Sequence, residues 1–137
     1  MPTFTFNKLV RDKIPAGIKA AGNTPEVRVL DHEEYLRELI KKLSEEASEI
    51  SNATKDELPS EIADIVEIVS ALCTTLNIMP QQLEEYRRAK NEKAGAFSEK
   101  LYISTVKTLP DSPWNEMYRK NAHKYPEISD EKEQVID

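Results

Sequence analysis

The sequence predicts an all-α chain, a helical bundle that is completed by oligomerisation. Three observations carry that expectation. Two consecutive stretches of about twenty residues repeat apolar side chains at helical spacing, a proline opens a third stretch of the same kind, and only two short segments alternate as strands would. Two long helices with broad apolar arcs are too few to close a core alone, so a dimer or tetramer is expected to supply the missing surface.

In chain order, Leu9, Val10, Ile14 and Ile18 predict a short helix over residues 7–21, bent or interrupted at Pro15 and closed by Gly22. Residues 26–30 (Glu-Val-Arg-Val-Leu) alternate and predict a short strand. Asp31, with Glu34 three residues on, reads as a capping box for a long helix reaching Asn52. A break at 52–55 follows. Asp56 then reads as the cap of a second long helix that carries Pro59 in its first turn and runs to about Asn77. Pro80 opens a third helix that ends near Gly95, and the β-branched stretch 101–109 predicts a second strand beside 26–30. These parts make one domain over 1–109. From Pro110 the composition changes, and 110–137 reads as an appendage that Trp114, Met117 and Tyr118 could anchor, with a mobile end.

With 25 Asp+Glu against 19 Lys+Arg, the formal net charge of -6 argues against a general nucleic-acid binder, which needs a basic face. An acidic substrate would need help from a cation. The single cysteine, Cys73, falls in an apolar arc and reads as a structural thiol. No apolar run approaches membrane-spanning length and the start of the chain does not read as a signal peptide, so a cytoplasmic location is expected.

The chemistry lies in two acidic words, Glu45-Glu46-Ala47-Ser48-Glu49 and Glu61-Ile62-Ala63-Asp64, each set inside a strongly apolar helical pattern. Residues three and four apart share a helix face, so two antiparallel helices could bring four carboxylates together. At about 100° per residue, Leu36, Leu39, Ile40, Leu43, Ala47 and Ile50 form one stripe. Glu46 lies about 20° outside Leu39 and Glu49 about 80° outside, while Glu45 falls farther round among exposed positions. In the second helix Glu61 falls inside the apolar arc, between Ile68 and Leu72, with Asp64 just beyond its edge. A buried, unpaired carboxylate costs several kcal/mol, so Glu61 needs a cation, a proton or a partner such as Lys42. Oxygen ligands without His or Cys suit magnesium, and manganese as its substitute. The competing reading is a solvated acidic face. Against it stand the second word at helical spacing and the lack of Lys or Arg in residues 57–86.

Those words resemble the signature of MazG-like nucleoside triphosphate pyrophosphohydrolases, an all-α superfamily that also holds phosphoribosyl-ATP pyrophosphohydrolases. Asn7-Lys8-Leu9-Val10-Arg11-Asp12-Lys13-Ile14-Pro15 is similar to the opening of a subgroup, and residues 90–97 resemble a loop after the third helix. The resemblance spans about residues 7–103. Where relatives tend to have Arg-Gly-Gly-Phe, this chain has Lys93-Ala94-Gly95-Ala96-Phe97. The resemblance implies Glu46, Glu49, Glu61 and Asp64 as ligands of Mg2+, with hydrolysis of a nucleoside triphosphate to monophosphate and pyrophosphate in nucleotide-pool house-cleaning. It further implies a homodimer or homotetramer. Glu45 is the candidate general base, while Lys8, Arg11, Lys13, Lys90 and Lys93 are candidate phosphate contacts and Phe97 a candidate stacking partner for the base. Two alternatives stay open: phosphoribosyl-ATP hydrolysis, and a non-catalytic helical interaction module with a structural cation site. A ferritin-like di-iron bundle is excluded, because it needs Glu-x-x-His words.

Overall fold

The computed structural model describes residues 1–128. It is helical: α1 is Ile14–Ala20, α2 His32–Ile50, α3 Leu58–Thr75, α4 Pro80–Ala94 and α5 Trp114–Lys120. The chain divides into two compact units, Met1–Gly95 and the part from Ala96 onward, so the composition change at Pro110 lies inside the second unit.

In the first unit α1 starts at Ile14, seven residues later than its apolar spacing suggests. Pro15 is the reason. Its ring lacks an N–H and clashes with the carbonyl four residues back, so it is accommodated in a first turn and blocks helix upstream. Gly22 closes the helix with φ 86, a left-handed conformation that costs glycine little.

The long helix α2 is capped as expected by Asp31, whose carboxylate accepts the Glu34 N–H at 2.9 Å. The reciprocal half of the box is missing. Glu34 instead accepts two hydrogen bonds from the Arg28 guanidinium, at 2.9 and 2.5 Å. That pair ties down residues 26–30, where the sequence predicts a strand. No strand forms among the described residues, there or at 101–109. A lone extended segment is not stable without a hydrogen-bonded neighbour, and both Val27 and Val29 stay exposed.

The connection to α3 is short. Glu57, and not Asp56, takes the N-cap position, and no side chain caps it. Pro59 falls in the first turn as expected. Ile78 donates its N–H to the Cys73 carbonyl at 2.8 Å and Asn77 takes φ 56, which turns the chain from α3 into α4. At the start of α4 the Gln82 carboxamide accepts the Met79 N–H at 2.8 Å, beside Pro80 in the first turn.

Packing in this unit centres on the α2–α3 pair. Leu39 on α2 and Ile68 on α3, 3% and 6% exposed, are the buried apolar side chains among the described residues. Ile40, Ile62, Val66, Leu76 and Tyr86 remain open to solvent.

The second unit contains α5, a seven-residue helix the sequence reading did not anticipate. Asn115 organises its start, donating to the carbonyls of Leu109 and Pro110 at 3.0 and 3.2 Å. The Trp114 and Tyr118 rings stack with centroids 6.3 Å apart, and Tyr118 meets Tyr125 edge to face at 5.0 Å. The mobile end expected of the appendage lies outside the described residues.

Candidate metal centre

Antiparallel packing of α2 on α3 brings the two acidic words together. Glu46 on α2 and Glu61 and Asp64 on α3 each offer one carboxylate oxygen, and these three atoms lie within 4.8 Å of one another. Glu61 and Asp64 share a face because they are three residues apart in a helix. Glu46 Oε2 and Glu61 Oε2 are enclosed by protein and accept no hydrogen bond. Enclosed acceptors of this kind are uncommon, since leaving one unsatisfied costs about 1 to 3 kcal/mol, and more when the group is charged.

Electrostatics point the same way. Burial pushes the Glu46 carboxyl above its ordinary value, and its neighbours Glu49 and Asp64 push it further, with Lys42 opposing. Lys42 therefore stands where it acts on Glu46, not as the partner of Glu61 considered from the sequence. Glu49 is outside the tight trio yet close enough to repel Glu46, which places it at the margin of the same negative pocket.

A raised carboxyl pKa means the folded state holds its proton more tightly than the unfolded one. The Glu46 contribution is then full below the ordinary value of 4.5 and is lost as pH rises through the raised one. Glu84 runs the other way. Arg87 and Arg88 hold it at about 2, so its contribution is full above 4.5 and is lost as pH falls from there through about 2. The metal-free protein is accordingly expected to melt at a higher temperature near pH 5 than near pH 7, and Glu46→Gln is expected to flatten that slope. Thermal melts in chelator across this range check it; an unchanged slope in the variant assigns the effect elsewhere.

The basic residues distribute unevenly. Arg11, just ahead of α1, reaches Asp64 with a 2.6 Å ion pair between its guanidinium and Oδ1. Lys8 lines an open groove of about 480 Å³ together with Lys41, Ser44, Glu45, Ser48 and Glu49. Glu45 and Glu49 thus face the groove, and Glu49 also adjoins the carboxylate trio. Lys13 sits exposed at the N-cap of α1, and Lys90 and Lys93 are exposed on α4. None of these three pairs with the clustered carboxylates among the described residues. Phe97 belongs to the second unit and is 96% exposed.

The sequence reading missed Lys41, Ser44 and Ser48. Their signal was present, since 41, 44, 45 and 48 recur at helical spacing on one face of α2. A solvated helix face carries lysine and serine at the same spacing, so that signal does not by itself single them out.

Three carboxylates, two with enclosed and unpartnered oxygens, are a donor set for a hard cation of the magnesium or manganese type, which prefers oxygen and completes its shell with water or phosphate. The residues fit such an ion.

No family model matches the chain, and no solved structure matches it. An uncharacterised protein of Mycolicibacterium smegmatis is 48% identical over 50 residues, a stretch that covers 36% of this chain and 51% of that protein. The match thus spans about half the length of that relative. No single helix among the described residues is long and apolar enough to cross a membrane.

Proposed function

We propose that this chain is a magnesium-dependent hydrolase that cleaves a nucleoside triphosphate, or a related nucleotide, between the α- and β-phosphates to give a monophosphate and pyrophosphate. One observation carries the reading: the convergence of Glu46, Glu61 and Asp64 with two enclosed carboxylate oxygens that have no partner. The resemblance of the acidic words and the Asn7–Pro15 opening to MazG-like pyrophosphohydrolases supports it and supplies the reaction class. Such an enzyme would serve the cytoplasmic nucleotide pool.

Glu46, Glu61 and Asp64 would hold the ion, with Glu49 adding negative charge beside Glu46. When bound, a divalent cation offsets phosphate charge and lowers the pKa of coordinated water. Lys8, at the groove that Glu49 shares, would meet phosphate oxygens, and Lys41 faces the same space. Glu45, also lining the groove, would accept a proton from the attacking water. Exposed apolar side chains on α3, Ile62 at 52% and Val66 at 61%, support assembly into a homodimer or homotetramer.

The test is product identity. The full chain, incubated with Mg2+ and a panel of canonical, deoxy and damaged triphosphates plus phosphoribosyl-ATP in oxygen-18 water, is expected to release monophosphate and pyrophosphate, with label in one of those two. A P-loop enzyme would attack the γ-phosphorus, but it needs a glycine-rich loop that a chain with three glycines does not offer. Diphosphate and labelled orthophosphate as primary products would overturn the mechanism. Magnesium binding without turnover of any nucleotide would favour the non-catalytic interaction module.

A further inference from the structure

Among the described residues the trio's ion pair is that of Arg11 with Asp64, whereas Glu46 and Glu61 each keep an enclosed oxygen with no hydrogen-bond partner. The two residues are 53 positions apart and belong to different segments of the first unit, so the contact does not follow from neighbouring positions on one helix. The Arg11 side chain is 57% exposed, and its backbone is held independently, its carbonyl accepting the Ile14 N–H at 3.0 Å at the start of α1. The guanidinium can therefore swing away while the helix stays in place.

We infer that Arg11 is a built-in counter-ion that a divalent cation must displace from Asp64, and that the released guanidinium then binds the phosphates of the incoming nucleotide. This rests on the metal reading of the cluster. A divalent ion bound to an Asp64 oxygen brings two positive charges to within a few ångströms of a guanidinium 2.6 Å from that carboxylate. At such separations like-charge repulsion outweighs what an exposed ion pair contributes. Arginine suits the second role because its planar fork of N–H donors matches phosphate oxygens in pairs. The consequence is an ordered exchange. One residue guards the negative pocket while it is empty and becomes a substrate contact once it is filled.

The exchange predicts opposite signs for two affinities. Calorimetric titration of Mg2+, and of Mn2+, into the full chain without nucleotide is expected to show about two- to five-fold tighter binding to Arg11→Ala than to the parent, the range an exposed ion pair spans. Arg11→Lys, which keeps the charge, is expected to stay near the parent. With Mg2+ saturating, inorganic tripolyphosphate is expected to bind Arg11→Ala several-fold more weakly. A residue that merely braced the fold would lower both affinities. If the parent binds the ion and Arg11→Ala binds it equally or less tightly, the exchange is wrong while the metal centre stands; unchanged tripolyphosphate binding overturns the phosphate role. If neither protein binds a divalent ion, the exchange and the metal reading fall together.

Discussion

Glu61→Gln is expected to abolish magnesium-dependent turnover while leaving the helical circular dichroism intact and raising the melting temperature of the metal-free protein. The substitution keeps the size of the side chain and removes one of three charges whose oxygens lie within 4.8 Å. Without the ion those charges repel, and the Glu61 oxygen enclosed by protein has no donor to offset its lost hydration. A neutral amide at that position relieves both costs, while a ligand of the cation is lost. The two effects separate the chemistry from the fold. In the parent, millimolar magnesium is expected to raise the melting temperature, because the ion binds only the folded cluster; in Glu61→Gln that rise should shrink or vanish. Near-normal turnover in the variant would remove Glu61 from the site.

If the chain assembles as proposed, Val66→Asp is expected to break up that assembly and to destabilise the chain with it. Val66 is 61% exposed on α3, in the same helix as the exposed Ile62, while Leu39 and Ile68 are the buried apolar side chains among the described residues. So few fully buried side chains leave little to set against the entropy of ordering the backbone, which costs about 1 to 2 kcal/mol per residue. Surface on α3 covered by a second copy would make up the difference. Folding and association are then linked, and the melting temperature of the parent should climb with protein concentration. A charge in the middle of the covered surface should shift light scattering toward monomer and lower the melting temperature together. A parent that is monomeric at micromolar concentration, with a melting temperature independent of concentration, would exclude the assembly.

The parts of this structure that the sequence made legible are those in which a local rule meets no competitor. Asp31 caps α2, Pro59 and Pro80 fall in first turns, and Glu61 and Asp64 share a face because periodicity alone decides it. The pairing of Glu46 with Glu61 was readable too, since two antiparallel amphipathic helices with a short connection have few ways to meet. What was not readable depends on choices between partners. Glu34 could complete its box or accept from Arg28, and the charge-assisted fork with Arg28 prevailed, while 26–30 lacks the neighbouring strand it would need. Arg11 could face solvent, substrate or a carboxylate, and nothing in its surroundings along the chain names Asp64. The helix α5 went unread for a different reason: Trp114, Met117 and Tyr118 fall at helical spacing, but one such turn after Pro110 and Pro113 reads as an irregular appendage.

The contacts that build the pocket differ in how far apart along the chain their partners lie. Glu46 and Asp64 are separated by about a third of the 53 positions that separate Arg11 from Asp64. Loop-closure entropy grows with the logarithm of that interval, so bringing Arg11 home costs about 1 kcal/mol more than bringing the carboxylates together. An exposed ion pair contributes at most about that much. The acidic pocket is thus a product of local chain closure between neighbouring helices, to which the Arg11 guanidinium adds a contact from farther along the chain.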